Sequence, residues 1–123
     1  MTLADLGRLD GDVVYFAARA EGGGMSTAVS VETLHGDGLE TFAAGLESDF
    51  RGWPGERVWK SFRGDLELHA THGGRSVELA WTLHGLEPAG GGARPWSCTV
   101  RTFVTPGEEL RRFSADVAGF LAT

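Results

Sequence analysis

The chain has 123 residues, of which 41% are hydrophobic and 23% charged, a balance typical of one soluble globular domain spanning residues 1–123. Its longest apolar run, Val13 to Ala18, is far shorter than the roughly 20 residues that cross a bilayer, so we expect no membrane span. The single cysteine excludes an internal disulfide. Since the N-terminus lacks a basic-then-apolar pattern, we expect no secretory signal and a cytoplasmic location.

The net charge of −6 is unevenly distributed along the chain. Residues 1–50 carry nine acids and two arginines, whereas residues 51–123 carry eight acids and nine bases. Nucleic-acid-binding proteins show the opposite sign, so we expect no nucleic-acid partner. Two interpretations remain open: the acidic first half keeps the protein soluble, or it attracts a basic protein partner.

The first half of the chain predicts two strands and a helix. The strands, Val13 to Ala20 and Met25 to Leu34, are rich in branched and aromatic residues and are predicted to pair as a hairpin across three glycines. Apolar residues recur at helical spacing over residues 38–50, and Asp37 with Glu40 has the spacing of a capping box. The outward face of this predicted helix carries three acids, Glu40, Glu47 and Asp49.

The register of the next strands follows from two predicted turns, the first over residues 62–65. It sets Trp59 opposite Leu68 and Lys60 opposite Glu67, which places the apolar residues on one face.

The second turn is predicted to contain only Gly73 and Gly74. It sets Leu68 opposite Leu79 and His69 opposite Glu78. The registers implied by the two turns therefore place the apolar residues of these strands on the same face.

A loop over residues 85–94, a strand over residues 96–104 and a closing helix with an apolar stripe complete the chain. The order of elements is β-β-α-β-β-β-β-α. We therefore predict an α+β fold, in which a curved antiparallel sheet of about six strands carries two helices packed on one face.

No constellation of catalytic, metal-binding or cofactor-binding residues is recognisable. His69 and His72 lie three residues apart on a predicted strand and point to opposite faces, so they cannot ligate one ion. Cys98 is predicted to lie on the core face, where a thiol is inert. The glycine clusters lie between strands, not at the strand-to-helix turn that a phosphate site needs. We predict no catalytic residue, no metal and no cofactor.

The four tryptophans are predicted to be largely core residues. Strand alternation places Trp59, Trp81 and Trp96 inside. Trp53 lies at the corner between helix and strand, and it either packs beneath the helix or serves as an exposed anchor for a partner.

Several short motifs resemble those of one protein family. They are Phe50-Arg51-Gly52-Trp53-Pro54-Gly55, Trp59-x-Ser61, Gly64-Asp65-Leu66-x-Leu68 and Pro106-Gly107-Glu108-x-Leu110. Together they resemble a family of small proteins of unknown function that is common in high-GC actinobacteria, over about residues 12–121. Arg75-Ser76 departs from the glycine-histidine that often stands there in that family. The order of elements is remotely similar to that of immunity proteins that neutralise a cell-wall-associated nuclease toxin, which implies a fold analogy rather than a function.

Three functional hypotheses follow. The first is a non-enzymatic binding protein, specifically a cytoplasmic immunity protein for a basic toxin domain, with partner-binding residues Asp37, Glu40, Glu47, Asp49 and Trp53. The second is a carrier of small apolar ligands of helix-grip type, which requires an apolar cavity between the sheet and the closing helix. The third is an enzyme whose titratable side chains converge in a pocket.

Overall fold

The computed structural model describes residues 1–85 and 96–123, so the predicted loop at residues 85–94 lies, apart from Gly85, outside the described residues. The described strands are β1 (Thr2–Leu9), β2 (Val13–Gly22), β3 (Met25–Leu34), β4 (Glu56–Lys60), β5 (Leu66–His72), β6 (Val77–His84) and β7 (Ser97–Val104). A 3-10 turn (His35–Gly38) leads into helix α1 (Leu39–Ser48), and helix α2 (Glu108–Leu121) closes the fold.

The strands form two antiparallel sheets, β1-β2-β3 and β4-β5-β6-β7. The α+β class, the antiparallel pairing and the two helices are confirmed, but the prediction of one sheet of about six strands is wrong. In the chain, the 3-10 turn and α1 lie between β3 and β4, and these two strands are not hydrogen-bonded neighbours. Both sheets and both helices nevertheless contribute side chains to one hydrophobic core, among them Phe16, Leu46, Leu68 and Leu110.

The sequence pattern does not predict β1, because the alternation of this strand is interrupted. Its register with β2 shifts between Ala4 and Gly7, and Asp5 within the shift has a φ of 57°. The Tyr15 ring of β2 lies across Gly7, where a Cβ atom would come within 2.3 Å of the ring. A glycine is therefore required at this position of the edge strand for the ring to lie there.

The predicted hairpin of β2 and β3 is confirmed, with Gly22 opposite Met25 at its end. In the other sheet, the register of β4 and β5 is confirmed as well, since Trp59 lies opposite Leu68 and Lys60 opposite Glu67.

The predicted register of β5 and β6 is wrong by two residues. Leu68 lies opposite Trp81, and His69 lies opposite Ala80 instead of Glu78. The connection spans residues 73–76 and not Gly73-Gly74 alone, because His72 already pairs with Val77. Since a shift by two residues leaves every side chain on the same face, the predicted core face is unchanged.

The tryptophan predictions hold for Trp59 and Trp81, which are 5% and 4% exposed. The prediction for Trp96 is wrong, since its side chain is 40% exposed. Trp96 precedes the first residue of β7, and its ring lies against Gly85, where a Cβ atom would come within 2.3 Å of the indole nitrogen. The Gly85 N–H donates to the Trp96 carbonyl at 2.9 Å, so this pair joins the ends of β6 and β7.

The predicted capping box at Asp37 and Glu40 is wrong. Gly38 holds the N-cap position of α1, and Asp37 adopts a left-handed conformation with a φ of 51° within the preceding turn. The Asp37 carboxylate instead accepts the Leu34 N–H at 3.1 Å and the Phe62 N–H at 2.8 Å. Asp37 thus joins the end of β3 to the turn between β4 and β5.

Helix α2 is held at its C-terminal end by β1. The Arg8 guanidinium donates to the Leu121 and Thr123 carbonyls at 2.6 and 3.2 Å. Phe120 of α2 also makes an edge-to-face contact with Phe16, with ring centroids 5.5 Å apart. A cation at a helix C-terminus is favourable, because the last carbonyls there lack helical partners.

Engineered cysteines test the register of β5 and β6. Directly opposed Cα atoms lie about 4.5–5.5 Å apart, within the range that a disulfide spans, whereas diagonal neighbours lie about 7–8 Å apart. In a Cys98→Ser background, we expect the pair Thr71→Cys with Glu78→Cys to form a disulfide on oxidation, as mass spectrometry would show. The control pair His69→Cys with Glu78→Cys should stay reduced. The opposite result would restore the register expected from the sequence.

Candidate binding surfaces

The predicted partner-binding acids lie at the two ends of α1. Glu40 is exposed on the first turn and stands close in the chain to Asp37, whereas Glu47 and Asp49 lie at the C-terminal end. The Asp49 carboxylate lies 2.8 Å from the Arg57 guanidinium of β4. The structure therefore does not bring the four acids together as one surface.

Trp53 lies in the core, and the interpretation of this residue as an exposed anchor is wrong. Its side chain is 7% exposed, and its indole N–H donates to the Ala70 carbonyl at 3.2 Å. The ring packs edge-on against His72 and beneath the Arg57 guanidinium, which lies 4.9 Å from the ring centroid. The pair of Arg57 and Asp49 then connects this buried corner to α1.

An exposed apolar patch lies on the outer face of the three-stranded sheet. Leu9, Val13 and Leu34 are cross-strand partners in one row, and Leu9 and Leu34 are 54% and 49% exposed. Tyr15 extends the same face. Phe62 of the turn between β4 and β5 is 54% exposed, and its backbone amide binds the same Asp37 carboxylate as the amide of Leu34. These five residues, Leu9, Val13, Tyr15, Leu34 and Phe62, are called the Leu34 patch below.

Acidic residues surround the Leu34 patch. Asp10 and Asp12 lie in the turn between Leu9 and Val13, and Glu32 lies opposite Tyr15. Glu32 pairs with Arg63 at 3.1 Å. Strand alternation places Val13, Tyr15 and Leu34 at outward positions of their strands. Leu9 lies on the unpredicted strand β1 and Phe62 in a turn, so no single sequence pattern indicates the whole patch. The patch combines an apolar centre with a charged rim, which is the usual anatomy of a protein interface.

A cleft of about 300 Å³ lies between α2, β1 and the strands β6 and β7. Its walls are mainly apolar and include the rings of Trp81, Phe113 and Phe120. The polar residues Thr102 and Asp116 also line it. The cleft, called the α2 cleft below, occupies the position between sheet and closing helix that the ligand-carrier hypothesis requires, at the lower end of the roughly 300–1,000 Å³ of ligand pockets.

A charged network covers the outer face of the four-stranded sheet. Glu67 lies at its centre and pairs with Lys60 at 3.5 Å, with His69 at 3.4 Å and with His84. The other ring nitrogen of His69 lies 2.8 Å from Glu56. None of these residues lines the α2 cleft, so the titratable groups converge outside that cleft, on the outer face of the sheet.

The network changes the pKa of two of its members in opposite directions. Burial alone would raise the pKa of Glu67, but hydrogen bonds from His84 and His69 outweigh it and lower the pKa from its ordinary 4.5. Burial alone would lower the pKa of His69, but hydrogen bonds to Glu56 and Glu67 raise it above its ordinary 6.5. Folding therefore favours charged Glu67 and charged His69.

The described part of the chain contains neither a cluster of metal-ligating residues nor a helix able to cross a bilayer. Among these residues, no group of three or more potential ligands could hold a metal ion. His69 and His72 point to opposite sides of β5, since His72 contacts the buried Trp53 and His69 lies on the outer face. Neither described helix has the length and apolarity to cross a bilayer.

Alanine substitutions distinguish the structural role of Asp37 from that of Glu40, an exposed acid nearby in the chain. We expect Asp37→Ala to lower the free energy of unfolding by about 1–2 kcal/mol, because two backbone amides lose their acceptor. Glu40→Ala, which removes an exposed acid from the same end of α1, should stay within about 0.5 kcal/mol. Urea denaturation measures both. Equal stability of the two variants would show that the Asp37 carboxylate does not join the two segments.

The charged network predicts a window of pH dependence. The lowered pKa of Glu67 stabilises the fold above pH 4.5, and this contribution is lost as the pH falls through the folded value. The raised pKa of His69 stabilises the fold below pH 6.5, and this contribution is lost as the pH rises through the folded value. Both contributions are present together between these two pH values.

We therefore expect His69→Gln to cost about 0.5–1 kcal/mol near pH 5.5 and less than half of that near pH 8.5. Denaturation at the two pH values measures the difference. The matched control is His35→Gln, because His35 pairs with Asp12 while both side chains are at least 70% exposed. A penalty for His69→Gln that is the same at both pH values would contradict the network.

Comparison with known proteins gives a family but no activity. A model of a family of unknown function (DUF6228) matches residues 1–123, which is the whole chain. No curated protein and no solved structure matches the chain. Membership of a family of unknown function is thereby confirmed. The Phe50–Gly55 motif as a mark of that family, an actinobacterial origin and the likeness to immunity proteins stay predictions. The chain belongs to the family of unknown function DUF6228.

Proposed function

We propose that this protein is a non-enzymatic binding protein that recognises a protein partner through the Leu34 patch. The observation that supports the proposal is the solvent exposure of Leu9, Leu34 and Phe62, each close to half exposed, on a face held in place by Asp37. Exposed apolar patches rimmed by polar residues mark interaction sites. Aromatic and aliphatic anchors at the centre of such patches carry most of the binding energy.

The charge of the surrounding surface favours a basic partner. Asp10, Asp12 and Glu32 adjoin the patch and, like Glu40 on α1, belong to the acidic first fifty residues. Complementary charge raises the association rate and selects among partners, while the apolar centre provides affinity. The specific form of the proposal is a cytoplasmic immunity protein that blocks a basic toxin domain.

A second candidate function is small-ligand binding, and the α2 cleft is the observation that favours it. The cleft has the apolar walls and the position expected of a ligand site beneath a closing helix. The third hypothesis, an enzyme, receives less support, because none of the charged network of Glu67, His69 and His84 lines the α2 cleft. Catalysis at a pair of titratable groups normally needs a concave site that excludes water.

Substitution of the patch tests the protein-binding function. With the purified toxin domain encoded beside this protein as the partner, we expect Phe62→Ala and Leu34→Ala each to weaken binding at least about tenfold by calorimetry. Glu40→Ala should slow association and reduce its dependence on salt. The matched control is Met25→Ala, which removes a 69% exposed side chain at the opposite end of the same sheet.

Unchanged affinity in both patch variants would exclude the Leu34 patch as the interface. A neighbouring gene that encodes no toxin, together with the absence of any protein partner, would exclude the immunity function.

A further inference from the structure

We propose that the α2 cleft binds a small primary amine that carries an aromatic or branched apolar group. This inference rests on the second candidate function and specifies its ligand class. It is independent of the Leu34 patch, which lies on the outer face of the other sheet.

The walls of the cleft match the apolar part of such a ligand. Trp81 and Phe113 meet edge-to-face with centroids 6.3 Å apart, and Phe120 lies two turns along α2 from Phe113. A volume of about 300 Å³ is close to that of ten water molecules, so it admits one ring with a short chain. Aromatic faces also attract cations, most strongly where water is displaced.

The mouth of the cleft selects for positive charge. Phe113, Asp116 and Phe120 stand three and seven residues apart on α2, so they share one side of the helix. Within the described part of the chain, Asp116 makes no hydrogen bond or ion pair, which leaves its carboxylate available to an ammonium group. The Thr102 hydroxyl supplies a second polar group. Met1 also lines the cleft, but no ion pair joins its ammonium to Asp116.

An amine is therefore favoured over a carboxylic acid of the same shape. Its ammonium group stays charged at neutral pH, as the lysine side chain does, and meets Asp116 while its ring enters the aromatic part of the cleft. A carboxylate in the same position would face Asp116 with a like charge.

Three probes of similar shape test this inference on the full chain: 2-phenylethylamine, 2-phenylethanol and 3-phenylpropionate. Nitrogen-15 spectra resolve the indole signal of Trp81 and the amides of α2 during each titration. We expect the amine to bind with a dissociation constant of about 1 mM, and the alcohol about three- to tenfold more weakly. The acid should bind more weakly than both.

Two acidic residues form the matched pair of variants. We expect Asp116→Asn to weaken amine binding about three- to tenfold and to leave alcohol binding unchanged. Glu21→Gln changes the net charge by the same amount but lies outside the cleft, so it should have no effect. This control separates the cleft from general attraction of a cation to an acidic protein.

Two outcomes would overturn the inference in different ways. Alcohol or acid binding as tight as amine binding, or no effect of Asp116→Asn, would refute the amine class while the second candidate function still holds. Absence of saturable changes at Trp81 and α2 with all three probes would refute both.

Discussion

The two sheets and the first helix meet at Asp37. The carboxylate of this residue accepts amides from Leu34 and Phe62, and its carbonyl accepts the Trp59 indole N–H at 2.9 Å. Since β3 and β4 do not pair, the bonds from Phe62 and Trp59 provide polar links between the halves of the molecule, while the bond from Leu34 fixes Asp37 at the end of β3. They also hold Leu34 and Phe62 at the surface in fixed positions. A surface ordered before binding loses less conformational entropy when a partner docks.

The two outer sheet faces differ in what they offer to a partner. On the four-stranded sheet, Glu67 and His69 already pair with each other and with neighbouring charges. A partner that covered this face would have to replace these interactions and desolvate the charges. On the three-stranded sheet, Leu9 and Leu34 expose apolar area whose burial is favourable without such a loss. The difference favours the Leu34 patch over the charged network as a docking surface.

Local patterns predicted what depends on neighbours in sequence, namely the elements from β2 onward, the register at Trp59 and the inward face of β5. The predicted register of β5 and β6 is wrong by two residues, yet the predicted core residues of both strands are correct, because side chains two residues apart on a strand lie on the same face. The division into two sheets and the cleft beneath α2 depend on contacts between distant segments, which periodicity does not encode. The sequence pattern misses β1 because the bulge at Asp5 breaks its alternation. Trp96 precedes the first residue of β7, so strand alternation does not apply to its side chain.

The contact of Arg8 with Leu121 has a consequence for how the chain folds during synthesis. These residues are 113 positions apart, and Phe16 and Phe120 meet in the same region. Phe113 of α2 packs on Trp81 of β6 as well. The apolar side of β6 and β7 in a nascent chain therefore stays uncovered until α2 has emerged from the ribosome. Contacts of such long range slow folding, and surface left open meanwhile favours aggregation. A chain truncated before Phe113 would accordingly lack the contact of this ring with Trp81 and leave that apolar surface uncovered.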